Sequence, residues 1–413
     1  MSDAHENDRV IAPVPRVTIH GFCETQSVAD ALAVAALDRR LQRAQVTTVM
    51  GGAAAAVATF RQQPTPNVIV LESGANPSTL LVHLDSLAEV CDAGTKVLVI
   101  GHVNDVLLYR ELTRRGVSEY LIAPVGALDL IQAFSDLFHA PGTNPIGRTI
   151  AVVGAKGGVG ASTVAHNLAW TLARKLSTAT VIVDLDIAFG TAGLDFNQDP
   201  SQGVADAVFA PERLDSNMLD RLISKCSENL SLLAASAMLD RPVDLTETAV
   251  DQLLDILRTS TPNVVLDMPH TWTGWARRTL VSADDIVLVA APDLASLRNT
   301  KNLVDVLRNA RTNDRKPRIV LNLSGMPKRP EIPPAEFAKA LEMDLAATVP
   351  FDAQLFGTAA NNGQMLGELQ PGGKFEDLFV SLATSITGRS DAKRRRASVL
   401  EPIIAKFTRR KAS

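Results

Sequence analysis

Aromatic residues make up only 4% of the 413 positions, and the chain has just three cysteines. Cys23, Cys91 and Cys226 are widely scattered, which excludes a disulfide framework or a cysteine-built metal centre and points to a reducing, cytosolic setting. No apolar run reaches the roughly 18 residues that a membrane-spanning helix needs. The formal charge of -4 leaves no overall basic footprint for nucleic acid, so DNA binding is not expected without a local patch. Met1 to Arg9 is polar and partly acidic, unlike a secretory leader. What the chain does have is apolar residues at 46% of its positions, enough to fill two sizeable cores.

Local composition divides the chain. Ala140-Pro141-Gly142-Thr143-Asn144-Pro145-Ile146-Gly147 breaks helix and strand periodicity alike, so a linker is expected at 141–147. It separates a domain over 16–140 from another over 148–388, with a disordered N-terminus at 1–15 and a basic tail at 389–413. The tail holds nine Lys or Arg against two acids, and Val399, Leu400, Ile403, Ile404 and Phe407 recur in it at helical spacing. That pattern suits contact with an anionic membrane face, a disordered basic segment, or a DNA contact.

In the first domain, apolar stretches at Val17–Phe22, Val46–Met50, Val68–Leu71, Val97–Ile100 and Tyr120–Ile122 alternate with amphipathic segments. Such alternation predicts a small doubly wound α/β fold. It resembles a response-regulator receiver, which implies a flavodoxin-like sheet. A working receiver ends its third strand in aspartate, follows its first with an acidic pair, ends its fourth in a hydroxyl, and places lysine before a proline after the fifth. Those places here hold Glu72, Phe22-Cys23-Glu24, Gly101, and Ala123 before Pro124. Phosphorylation by that route is therefore not expected, and the atypical domain is read as a partner-binding module. Glu72 is either a solvated strand-end carboxylate or a fixed mimic of the phosphorylated state.

The second domain opens on the apolar strand Thr149-Ile150-Ala151-Val152-Val153. Gly154-Ala155-Lys156-Gly157-Gly158-Val159-Gly160-Ala161-Ser162-Thr163 follows, then a helix from Val164 to Leu176. A glycine-rich turn between strand and helix aims backbone N–H groups inward and adds the helix dipole, which suits phosphate oxygens. Set against G-x-x-x-x-G-K-[ST], Ala155 replaces the first glycine and Ala161 the lysine, while Gly160 and Ser162 remain. Two further apolar strands end in carboxylates, Val181–Leu185 around Asp184 and Asp186, and Val264–Leu266 before Asp267. Carboxylates so placed serve metals or cap helices.

Lys156 within K-G-G-V-G, together with these strand ends, resembles the deviant Walker A loop and switch segments of the MinD/ParA ATPases over about 148–388. The resemblance implies a P-loop, doubly wound parallel sheet that binds ATP and Mg²⁺ as a homodimer. It implies that Lys156, Gly157, Gly158, Val159, Gly160, Ala161, Ser162 and Thr163 wrap the phosphates, with Lys156 also acting across the dimer. Asp186 would orient the attacking water. Ser162, Asp184 and, through water, Asp267 would serve Mg²⁺; Asn322 would read the adenine, with Pro350 near the base. Alanine at 161 removes a charge from the phosphate bridge, so hydrolysis is expected to be slow or undetectable. Trp272 and Trp275 are expected on one helical face, as a docking site or as core.

A degenerate receiver ahead of a loop reading A-K-G-G-V-G-A-S-T resembles the CpaE/TadZ family of tight-adherence (Flp/Tad) pilus assembly. That implies an ATP-bound dimer at a bacterial cell pole, peripheral to the inner membrane. A pole-marking protein would hold the receiver-like domain, and the dimer would recruit the pilus secretion machinery with its assembly ATPase. The alternatives are a partitioning ATPase for DNA or protein cargo, and a scaffold that binds no nucleotide.

Overall fold

The computed structural model describes residues 11–92, 94–138, 146–235 and 245–388. The basic tail at 389–413, residues 1–10 of the expected disordered N-terminus and 141–145 of the expected linker lie outside the described residues. Among the described residues, Ile11 to Phe138 with Arg311–Asp314 form one compact unit, and Ile146 to Ala310 with Arg315 to Gly388 form another.

In the first unit, β1 (Thr18–Cys23), β2 (Gln45–Met50), β3 (Val68–Ser73), β4 (Lys96–Gly101) and β5 (Glu119–Ile122) build a wholly parallel sheet in the order β2-β1-β3-β4-β5. Helices α1 (Gln26–Ala36), α2 (Gly52–Phe60), α3 (Pro77–Ala88), α4 (Val106–Arg114) and α5 (Ala127–Phe138) connect them. Side chains alternate across each strand, so Val68 and Val70 enter one core with Leu32, Leu130 and Phe134, while Ile69 and Leu71 enter the other with Phe60, Leu84 and Leu112. This is the doubly wound α/β fold that the alternation predicts, in the flavodoxin-like order that the receiver resemblance implies.

Two receiver landmarks are reshaped. A side chain on Gly101 would meet the Tyr120 hydroxyl at 2.2 Å, so the ring fills the place of the missing fourth-strand hydroxyl residue. Glu72 is fully buried, which corrects its reading as a solvated acid. Its carboxylate accepts the Glu24 and Thr25 backbone N–H groups at 2.7 and 2.8 Å and the Thr25 hydroxyl at 2.6 Å. It fastens the β1–α1 turn, with His102 Nε2 alongside at 3.3 Å.

The second unit holds β6 (Arg148–Gly154), β7 (Thr180–Asp184), β8 (Ser224–Lys225), β9 (Leu230–Leu233), β10 (Asn263–Asp267), β11 (Asp285–Ala290), β12 (Arg318–Ser324) and β13 (Leu345–Pro350). Their order is β13-β12-β11-β6-β10-β7-β9-β8, parallel except for the short β8–β9 pair. Helix α6 (Ala161–Arg174) and the helix Lys374–Thr387 cover one face, where Leu168, Leu172, Phe375 and Phe379 pack on Ile150, Val152 and Val265. Helices Glu247–Ser260, Gly274–Ser282 and Leu294–Ala310 cover the other. The sheet is doubly wound with β6 at its centre, and the carboxyl ends of β6, β7, β10, β11 and β12 share one edge. Ligands of such sheets bind at that edge, where the strand order reverses.

The tryptophan expectation needs correcting. The helix starts at Gly274, capped by the Thr273 side chain, so Trp272 lies outside it and is 51% exposed while Trp275 is 6% exposed and belongs to the core.

Candidate nucleotide-binding site

The loop after β6 is held open by its neighbours. The Ala155 N–H donates to the Val289 carbonyl at 2.8 Å, and the Ala155 carbonyl accepts from Asn299 Nδ2 at 2.9 Å. Ala155 does not adopt a positive φ, so this position needs no glycine. Gly158 and Gly160 do require it, with φ of 76° and 80°, and Gly160 caps the amino end of α6. Side chains on Gly157 or Gly158 would meet nothing within 4 Å, which marks the open side of the loop. Among the described residues, the backbone N–H groups from Lys156 to Thr163 find no protein acceptor. Convergent unpaired donors at a helix amino end form an anion site.

Asn322, at the end of β12, is buried beneath this loop. Its Nδ2 donates to the Val159 carbonyl at 2.8 Å, and a side chain on Gly160 would meet the same nitrogen at 2.4 Å. The amide nitrogen is thus engaged by the loop itself, while Oδ1 is buried with no hydrogen-bond partner among the described residues. Pro350 closes β13, half-buried, in register with Ser324.

Lys156 lies across the loop with its Nζ 2.8 Å from Asp293 Oδ2. Asp293 follows β11, and its other oxygen accepts the Ser296 N–H at 2.8 Å. Burial alone would raise the Asp293 pKa, but Lys156 and Ser296 hold it below the usual carboxylate value. Both partners are partly exposed, so the pair contributes at most about 1 kcal/mol and is readily exchanged for another anion.

The carboxylates at the ends of β7 and β10 converge on a histidine. His166 is fully buried on the second turn of α6. Its Nδ1 lies 2.6 Å from Asp195 Oδ2, on the short helix α7 (Ala192–Asp195). Its Nε2 lies 3.2 Å from Asp267 Oδ2, near enough for an ionic contact but out of line for a hydrogen bond. Burial would lower the imidazole pKa, yet the flanking carboxylates outweigh it and push it up to about 10. Asp184 Oδ1 accepts the Asp186 N–H and its Oδ2 the Ala192 N–H, both at 3.1 Å. Burial and the neighbouring Asp267 charge raise the Asp184 pKa well above the usual range. Asp186 is less buried, and its pKa is also raised, by desolvation.

Mg²⁺ fits this donor set. Among the described residues, Asp267 Oδ1 is buried without a hydrogen-bond partner, and the Ser162 hydroxyl stands on the first turn of α6 beside the unpaired N–H groups. The structure therefore gathers Lys156 through Thr163, Asp184, Asp186 and Asp267 at one edge of the sheet, with Asn322 beneath them. Sequence reasoning missed Asn299, Asp293 as the partner of Lys156, and His166. Asp293 stood in view after its strand, but nothing local ties His166 to acids that follow it on separate elements.

Residues 147–320 match the model of a family described as an AAA domain. The septum site-determining protein MinD of Helicobacter pylori is 30% identical over 165 residues, 40% of this chain and 60% of that protein. The chain thus spans about 60% of the length of this curated relative. A pilus assembly protein CpaE from Caulobacter crescentus CB15 is 47% identical over the whole of its solved chain, which covers 32% of this one with a TM-score of 0.31. The chain belongs to the CpaE family of pilus assembly proteins. The second unit has the MinD/ParA-like fold. MinD from Pyrococcus horikoshii OT3, solved with Mg-ADP, covers 58% of this chain and 96% of its own at 22% identity and a TM-score of 0.52. Among the described residues, no helix is long and apolar enough to cross a membrane.

Proposed function

We propose that this protein is a nucleotide-switched assembly and localisation factor of a tight-adherence pilus secretion system. It binds ATP with Mg²⁺ at the β6–α6 loop, dimerises around the nucleotide, and hydrolyses it slowly or not at all. The observation that carries this reading is the row of backbone N–H groups from Lys156 to Thr163, which have no acceptor among the described residues. These donors would hold phosphate oxygens, and Ser162 and Asp184, with Asp267 through water, would hold Mg²⁺, which would neutralise charge between the phosphates.

Lys156 is available for the partner subunit once it leaves Asp293, an exchange of one partly exposed anion for another. Asp186 stands ready to orient water. No side-chain cation occupies position 161, so charge developing on a transferred phosphoryl group is poorly met from within one chain, and bound ATP persists. Persistence suits a positioning role. In this reading the dimer sits in the cytoplasm at a cell pole, held through its receiver-like unit, and recruits the pilus machinery with its assembly ATPase.

Light-scattering mass with Mg-ATP, Mg-ADP and no nucleotide tests the switch. A doubling with ATP alone, lost in Lys156→Ala, is the expected result. A mass indifferent to nucleotide would overturn it and leave a scaffold that works through its surfaces alone.

A further inference from the structure

His166 lies against acids on two separate elements of the site. Its ring stands between Asp267, at the end of the strand beside the phosphate loop, and Asp195, on α7. The α7 segment is short, and Ala192 anchors it in the core. Its helix has four residues, Ala192–Asp195. The Ala192 N–H is held by Asp184, and the Leu194 carbonyl lies against Gly363, where a side chain would approach it to 2.7 Å. Phe196 packs on the His166 ring with centroids 5.5 Å apart. Phe189 and Leu194 ride on this segment, each 73% exposed.

We infer that His166 is a positioning residue that ties the α7 segment to the strand bordering the phosphate loop, so that nucleotide occupancy is passed to the exposed Phe189 and Leu194. The inference rests on the nucleotide-binding reading above. One flat, rigid ring bears on both carboxylates, so a displacement of Asp267 when the site fills is carried to Asp195. A chain of loose contacts would dissipate it. Asp267 has its second oxygen free to respond, because Oδ1 has no hydrogen-bond partner among the described residues.

The two ring nitrogens allow a test that separates relay from mere support. Asparagine at 166 reproduces a donor near Nδ1, on the Asp195 side, but cannot reach Asp267. Glutamine reaches toward the Nε2 position and abandons Asp195. Hydrogen exchange of the full chain, read over peptides spanning 187–198 with and without Mg-ATP, is the measurement, and a fluorescent ATP analogue reports binding separately. Wild type should bind the analogue and change its exchange over 187–198 when ATP is added. Without nucleotide, His166→Ala and His166→Gln should exchange there about tenfold faster, the effect of losing one charge-assisted hydrogen bond, with far-ultraviolet dichroism unchanged. His166→Asn should keep the wild-type protection yet lose the response to ATP while still binding the analogue. An asparagine variant that retains the response would overturn the relay, since support at Asp195 alone would then suffice. So would a wild type that binds the analogue with no change over 187–198. Failure of wild type to bind at all removes the nucleotide reading, and the relay with it.

Discussion

Glu72 sits where a receiver carries its phosphorylatable aspartate, and it has become part of the framework. Desolvation alone would raise its pKa, but the Thr25 hydroxyl and backbone, the Glu24 N–H and His102 outweigh it and hold it below 4.5. A group whose folded pKa is depressed contributes its stability above the unfolded value and loses it as pH falls through the folded one. Denaturant unfolding of the wild type should therefore weaken as pH drops below about 4.5, and Glu72→Gln should flatten that part of the acid limb. The variant should also lose about 1–3 kcal/mol at neutral pH, through weakened acceptance at a fully buried position. Parallel pH profiles for the two proteins would rule out Glu72 as the source. The position was legible from sequence because a strand end can be counted; its burial was not, because the donors that satisfy it come from a different strand end. His166 was less legible still. Its partner Asp195 lies 29 residues away and the two meet only after α6 and α7 pack, so no spacing rule reaches it.

The loop after β6 owes its shape to Asn322 as well as to its own glycines. Asn322→Ala would leave the Val159 carbonyl without its donor and open a small gap under Gly160, a local loss of about 1–3 kcal/mol. Since the loop must then be ordered by the ligand, affinity for ATP should fall about tenfold or more, as titration of a fluorescent analogue would register. Unchanged affinity would show that the loop keeps its form without the strut. Strand, turn and helix around the loop were readable in order from apolar periodicity and two essential glycines. The helix Gly274–Ser282 departs from the expectation because Thr273 caps it and it begins only at Gly274, which sends Trp272 outward and Trp275 inward. Cap chemistry, rather than the three-residue spacing of the indoles, decided that outcome.

Each of the two units has cores of its own on both faces of its own sheet. Calorimetry should accordingly resolve two transitions, and Mg-ATP should raise the one belonging to the second unit, by about 2.7 kcal/mol of stabilisation at a hundredfold excess over Kd. If ATP moves neither transition, the loop is not a nucleotide site. That there are two α/β units was legible, since strands and helices alternate on both sides of a proline- and glycine-rich break. The strand order of the larger sheet was not, because a parallel sheet inserts later strands between earlier ones and no local signal records the insertion. That insertion has a consequence during synthesis. β6 leaves the ribosome before both of its neighbours: β10 ends at Asp267 and β11 at Ala290, and Asn322 comes later still. A nascent chain stalled short of residue 322 carries the loop sequence without the Asn322 bond to the Val159 carbonyl. Under the proposed reading, ATP capture would await closure of the sheet around β6, and half-made copies would stay out of dimers.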